Sequence, residues 1–157
     1  MNWEKIKQVF APDKQYDWMW SHAANPVPYI LDRKKEIVRV FFTCRTEANL
    51  SHIGYVDVDF LDNHKIIQVS SKPVLAPGAL GLFDDSGTAM GYLVEKESEL
   101  YLFYLGWNLK VTVTWLITIG MAKANSINHE FKKCNLTPLM DRSHEDPYSI
   151  SYHSVLF

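Results

Sequence analysis

The chain carries one series of segments twice. Val40-Phe41-Phe42, Ile53-Gly54-Tyr55 and Pro73-Val74-Leu75 recur as Leu102-Phe103-Tyr104, Ile119-Gly120-Met121 and Pro138-Leu139-Met140, at offsets of 62, 66 and 65 residues. A third copy opens near Tyr152-His153-Ser154-Val155-Leu156-Phe157 and stops at once. Self-similarity at a fixed period marks supersecondary units that stack, because one unit alone leaves its apolar face bare.

Each unit reads as strands. Residues 111–121 alternate, with Val111, Val113, Trp115, Ile117, Ile119 and Met121 on one face and Thr112, Thr114, Leu116 and Thr118 on the other. A period of two is a strand signal and leaves no helical stripe. Residues 55–60 alternate likewise, which predicts Val56, Val58 and Phe60 inward and Asp57 and Asp59 outward. Ile37 to Cys44 and Leu100 to Leu105 are denser apolar runs, as in strands covered on both faces. Turn residues fall between them at Asp32-Arg33-Lys34-Lys35, Leu61-Asp62-Asn63-His64, Ala76-Pro77-Gly78 and Asp84-Asp85-Ser86-Gly87. The first unit is predicted to hold strands at residues 27–31, 37–44, 53–60 and 66–71. The only helical window is residues 3–10. Tandem four-stranded units are the sequence form of a β-propeller; two consecutive sheets of a sandwich fit the same spacing.

Composition narrows the function classes. The 157 residues fit a single domain, 1–157, and 47% of them are hydrophobic. With 16 Lys and Arg against 18 Asp and Glu, the net charge is −2, so no basic surplus exists for a nucleic-acid partner. Tyr101 to Ala122 holds one charge, Lys110, over 22 residues, enough to span a bilayer. The turn Gly106-Trp107-Asn108 and the β-branched content read as strands instead, so no membrane partner is expected. Cys44 and Cys134 form neither a disulfide framework nor a metal-ligand spacing and read as reduced thiols of a cytoplasmic chain. Met1-Asn2-Trp3-Glu4-Lys5 lacks the apolar run of a signal peptide. No metal-ligand cluster, phosphate loop or Gly-x-Ser-x-Gly elbow is present, so no metal or cofactor is expected.

Longer motifs carry a resemblance. Trp20-Ser21-His22-Ala23-Ala24-Asn25-Pro26-Val27-Pro28 precedes the first inner strand, and Phe41-Phe42-Thr43-Cys44-Arg45-Thr46 ends the second. Pro73-Val74-Leu75-Ala76-Pro77-Gly78 leads to Gly81-Leu82-Phe83-Asp84-Asp85-Ser86-Gly87, then to Tyr101-Leu102-Phe103-Tyr104-Leu105-Gly106-Trp107-Asn108 and Ile119-Gly120-Met121-Ala122. In order and spacing these resemble the five-bladed β-propellers of the glycoside hydrolase and phosphorylase superfamily: arabinofuranosidases, xylosidases, invertases and mannoside phosphorylases. The resemblance covers residues 18–157. It implies an all-β fold of about two and a half four-stranded blades, the N-terminal half of a five-bladed ring.

The resemblance also implies a sugar site at the channel mouth, ringed by acids from the first three blades. Glycoside cleavage needs two carboxyl groups flanking the bond, one to protonate the leaving oxygen and one to activate water or attack. The first-blade position is Asn25, where many relatives carry Asp; an amide cannot be a base, but it can hydrogen-bond a sugar or make a turn. The second-blade position matches Asp84-Asp85, with Asp85 the expected catalytic acid and Asp84 a substrate contact, or both shaping a turn. Glu145, in Arg142-Ser143-His144-Glu145-Asp146-Pro147-Tyr148, matches the third, or is an exposed turn charge. Arg45 could orient a carboxylate or sugar hydroxyl or pair on the surface. His22 and Trp107 are further substrate-binding candidates, with structural packing as the alternative for each.

The expected function is a carbohydrate-active protein, hydrolase or phosphorylase, with a glycoside as partner. A non-catalytic sugar-binding module and an assembly protein derived from a truncated gene are the alternatives. A partial ring leaves two blade faces bare, and no polar cap is visible in the sequence. Self-association as a homodimer is therefore expected, through residues 150–157 and the segment around Trp3 and Phe10. His22, Asn25, Arg45 and Asp85 are expected to converge on one concave face.

Overall fold

The structure, a computed structural model, describes residues 2–156; Met1 and Phe157, the latter closing the third sequence copy, lie outside the described residues. Eight strands and no helix form among them: β1 (Ser21–Asp32), β2 (Ile37–Arg45), β3 (Ser51–Asp59), β4 (Lys65–Val69), β5 (Gly87–Lys96), β6 (Glu99–Leu109), β7 (Trp115–Ala124) and β8 (Lys132–Lys133). β1 to β4 form one antiparallel meander and β5 to β8 another. Carboxylates shape two of the turns. Asp32 Oδ1 accepts from the Lys34 and Lys35 N–H groups, and Asp59 Oδ1 from those of Leu61 and Asp62, so each turn is capped by its own first carboxylate.

The duplication in sequence is a duplication in bonding. Phe42 faces Gly54 across β2–β3, as Tyr104 faces Gly120 across β6–β7. The Ile53 N–H donates to Leu75 O at 3.0 Å, and the Ile119 N–H to Met140 O at 3.0 Å. The Pro-Val-Leu and Pro-Leu-Met segments therefore latch onto the third strand of their own units in the same way.

Two separate four-stranded sheets were expected, and this is corrected. One parallel pair, Ser51 with Gly87, joins β3 to β5, so the eight strands form a single open sheet. The reason is local. A Cβ at position 87 would lie 2.1 Å from Ser51 Oγ and 2.3 Å from Trp107 Nε1, so only glycine lets these backbones meet.

Three apolar layers stack through the molecule. Between the meanders, Phe41, Ile53 and Leu75 pack against Met90, Leu102, Tyr104 and Phe131. Behind the first meander, Met19, Phe42, Val56 and Val58 are covered by Phe10, Tyr16 and Trp18 of the N-terminal segment. The Phe10 and Phe42 rings lie 5.2 Å apart. That segment is coil rather than a helix over 3–10, and it covers the face expected to be bare. Beyond the second meander, Ile150 and Val155 cover Phe103, Leu105 and Ile119. Trp3 remains exposed.

Three further expectations are corrected. Asp57 is buried, 3% exposed, because its face meets the second meander. It pairs with Arg39 at 2.7 and 2.9 Å, while Arg39 also donates to Ile127 O at 2.6 Å and lies 3.6 Å from the Tyr55 ring. Phe60, expected inward, is past the end of β3 and exposed. Residues 110–114 are a loop, so Val111 and Val113 are exposed, and so is Trp115 at the start of β7. Among the described residues no helix is long and apolar enough to cross a membrane; Tyr101 to Ala122 runs through β6, this loop and β7.

Both cysteines are free thiols. Cys44 is wholly buried, and its Sγ lies 3.5 Å from both Trp18 O and His52 O. Burial pushes its thiol up to about 12.

Two outcomes follow. Asp57→Ala strands the Arg39 charge in the interior, and urea unfolding should show a loss of about 3–5 kcal/mol. Cys44 is harder to ionise in the fold than in the unfolded chain. Its contribution to stability is full below the unfolded value of about 8.5 and declines as pH rises through that value. At about pH 8 a thiol reagent should leave Cys44 unmodified in native protein and label it on unfolding; native labelling at the unfolded rate would contradict the burial.

Candidate functional site

Strand register lines up one end of both meanders. Ser21 faces Arg45, Arg45 faces Ser51, Ser51 faces Gly87, Gly87 faces Trp107 and Trp107 faces Ile117. The row crosses six strands where β1, β3 and β5 begin and β2 ends. It gathers residues far apart in sequence.

Arg45 and Trp107 are the centre of the row. The half-buried Arg45 guanidinium lies 6.0 Å from the Trp107 ring centroid. Among the described residues its guanidinium makes no hydrogen bond or ion pair. Trp107 Nε1 donates to Ser51 Oγ at 2.7 Å, which fixes the indole across the joint between the meanders. Of Ser51 and Gly87, which hold this geometry, Ser51 was not singled out in the sequence and Gly87 was read only as part of a turn and motif. A lone serine and a lone glycine carry no signal until the register pairs them.

His22 and Asn25 lie in the irregular start of β1, where the register slips between Ser21 and Ala24 and again between Ala24 and Val27. Their φ angles are 65° and 54°. Left-handed backbone is uncommon for non-glycine residues, and such outliers cluster at binding and catalytic sites. His22 is exposed, with Nδ1 2.9 Å from Ser21 Oγ; Asn25 is half-buried.

The acids separate. Asp85, half-buried, accepts from the Gly81 N–H and the Ser86 hydroxyl, each at 2.9 Å. It shapes the loop before β5, two residues from the row. Asp84 turns inward instead. It is 0% exposed, accepts from the Tyr104 hydroxyl at 2.9 Å and lies 2.6 Å from Lys133 Nζ. The expectation of Asp84 on the ligand surface is thereby corrected: the turn, closed by Asp85 N–H to Leu82 O and Gly87 N–H to Asp84 O, directs the Asp84 carboxylate to Tyr104 and Lys133 in the interior. Burial, then the neighbouring Asp84, raises the Tyr104 hydroxyl well above its ordinary range.

Glu145 sits on an exposed loop that returns to the same end. Its Oε1 is 3.2 Å from His144 Nε2. The loop ends at Ser149, whose hydroxyl accepts from the Ile117 N–H at 2.9 Å, beside the row.

A groove adjoins the row beyond Arg45, lined by Asp17, Trp18, Trp20, Thr46, Glu47 and Leu50. Lys14 Nζ is 4.4 Å from the Trp20 ring. Trp20 stood in the motif before the first strand, but its meeting Glu47 in one groove depends on β1 and β2 lying side by side. Among the described residues no group of three or more His, Cys, Asp or Glu gathers to hold a metal. What the row offers is hydrogen bonding from Arg45, His22 and Asn25, an indole surface, and carboxylates on two neighbouring loops.

No family model matches the chain. Two uncharacterised proteins from two strains of Mycobacterium tuberculosis are 40% identical to it over 156 residues, 99% of this chain and 51% of theirs. The chain thus spans about half the length of the curated relatives it matches. Among solved structures, a glycosyl hydrolase from Bacteroides ovatus matches with a TM-score of 0.63 and 15% identity, over 88% of this chain and 40% of that one. A glycoside-hydrolase-like protein from Parabacteroides distasonis matches with a TM-score of 0.58 and 17% identity, over 82% and 36%. At these identities the likeness concerns the fold, and the chain has an all-β, glycoside-hydrolase-like fold.

Proposed function

We propose that the chain supplies about two and a half blades of a five-bladed propeller of the glycoside hydrolase and phosphorylase type, and that the row at its strand ends binds a glycoside. The observation that carries this reading is the half-buried Arg45 guanidinium, 6.0 Å from the Trp107 ring and, among the described residues, without a hydrogen-bond or ion-pair partner. A guanidinium left unpaired beside an indole suits a polyol: its planar fork takes paired hydroxyl oxygens, and the ring takes the C–H edges of the sugar. His22 and Asn25 add hydrogen bonds from β1. Asp85 and Glu145 are the proposed carboxylate pair, one protonating the leaving oxygen and the other activating water or attacking. Arg45 equally suits phosphate as the attacking group, which favours testing phosphorolysis beside hydrolysis.

The test is a thermal-shift and calorimetric screen against a panel of mono- and disaccharides, followed by aryl glycoside turnover with and without phosphate. Arg45→Ala and Trp107→Ala should each weaken binding about tenfold or more, as expected for a charge-assisted contact of about 1.5–3 kcal/mol. Asp85→Asn should retain binding and lose about 10²-fold or more of turnover. No sugar response in the unaltered protein would overturn the reading; binding without turnover would leave a sugar-binding module.

Closure of the ring by a second copy belongs to the same proposal. The outer face of the second meander is covered, among the described residues, by the short segment holding Ile150 and Val155, with Tyr101 and Met121 half-buried beside it. A copy docking there would bury above about 2,000 Å² in total, as obligate interfaces do. Sedimentation at micromolar concentration should give a dimer; a folded monomer that persists on dilution would refute closure by a second copy.

A further inference from the structure

Behind the row, at the seam between the meanders, three polar side chains meet in the interior. Lys133 Nζ lies 2.6 Å from Asp84 Oδ2, and the Tyr104 hydroxyl donates to the same oxygen at 2.9 Å. Among the described residues Asp84 Oδ1 is buried with no hydrogen-bond partner. Lys133 Nζ is buried too, and for all its closeness to Oδ2 it is not aligned for a hydrogen bond to any acceptor. Three glycines clear the space. A Cβ at Gly78 would lie 2.2 Å from Asp84 Oδ1, one at Gly106 2.8 Å from Asp84 Cβ, and one at Gly120 2.3 Å from Tyr104 Cζ. Phe83 stacks on Tyr104 at 6.0 Å.

The fold does not need this trio. In the first meander Phe42 faces Gly54 as Tyr104 faces Gly120, and Val69 faces Val56 as Lys133 faces Ala122. There Met19, Phe42 and Val69 form an apolar cluster. A buried ion pair is commonly no better for stability than apolar side chains of similar volume, since desolvating both charges offsets their attraction. Polar groups kept where apolar ones suffice call for a chemical reason.

We propose that Asp84 and Lys133 condense into an intramolecular isopeptide bond, with Tyr104 as the proton relay. The lysine, having passed a proton to the carboxylate, attacks Asp84 Cγ. The Nζ–Cγ bond forms and the Cγ–Oδ2 bond breaks. Oδ2 leaves as one water, which carries two of the three ammonium protons by way of the Tyr104 hydroxyl; the third stays on the amide nitrogen. One positive and one negative charge vanish together, so no oxidant, reductant or co-substrate is required. Burial of the pair favours this direction, because the neutral amide escapes the desolvation cost of two ions. Burial also keeps the Tyr104 hydroxyl protonated and able to donate. The crosslink would tie the loop before β5 to β8. Like a disulfide, it would stabilise the fold by restricting the unfolded chain.

Intact mass measured on the unaltered, purified protein under denaturing conditions decides the matter. The expected mass is one water below that of the sequence, and digestion should release a branched peptide joining the Asp84 and Lys133 segments. Lys133→Arg and Asp84→Ala should each show the full sequence mass. Tyr104→Phe, sampled at intervals after synthesis, should lose the water more slowly than the unaltered protein; an unchanged rate would remove Tyr104 from the step. Full sequence mass in the unaltered protein, or a water loss mapping elsewhere, would overturn the proposal.

Discussion

Phe131, in the loop before β8, packs edge-on against Phe41 of β2 with ring centroids 6.2 Å apart, and the inner faces of both meanders close around that contact. The Phe131 N–H donates to Val74 O at 3.0 Å, so backbone and side chain fasten the same joint. Each large apolar side chain buried here is worth about 1.5–3 kcal/mol. Neither meander supplies such a layer by itself. Arg39 extends the joint, tied to Asp57 in its own meander and to Ile127 O in the other.

That seam is what makes a site possible. Ser51 and Gly87 meet only because the layer beneath holds β3 and β5 together, and Trp107 is fixed through Ser51. Arg45 then faces an indole from the neighbouring unit rather than from its own. The candidate site therefore belongs to the pair of units, with His22 and Asn25 in the irregular, left-handed start of β1. Loosening the seam would disturb the row before it melted either meander.

The two copies of the repeat use equivalent positions differently. Opposite equivalent residues of the third strand, the first copy carries Phe42 and Val69 and the second carries Tyr104 and Lys133, the latter two both beside Asp84. The pairings Phe42–Gly54 and Tyr104–Gly120, and Val56–Val69 and Ala122–Lys133, correspond, so at these positions the difference lies in side-chain chemistry. The first copy is covered by the chain's own N-terminal segment, which leaves the outer face of the second copy as the thinly covered one.

Strand positions were legible because they depend on short-range pattern. The predicted 37–44 and 53–60 became 37–45 and 51–59, since β-branched and aromatic runs between turn residues specify a strand locally. The repeat was legible for the same reason, as spacing along one chain. Alternation alone does not say what covers a face. The pattern at 111–115 was that of a strand, yet Val111 and Val113 have nothing over them, while Asp57 has a second meander over it. Two neighbouring carboxylates were visible as letters, but which one entered the core was set by the turn and by Lys133 approaching from β8. Amino-acid order thus determined the strands, the turns and the duplication. Only the packing of one unit on the other decided which polar groups were buried and which were gathered at the surface, because burial belongs to pairs of elements far apart in the chain.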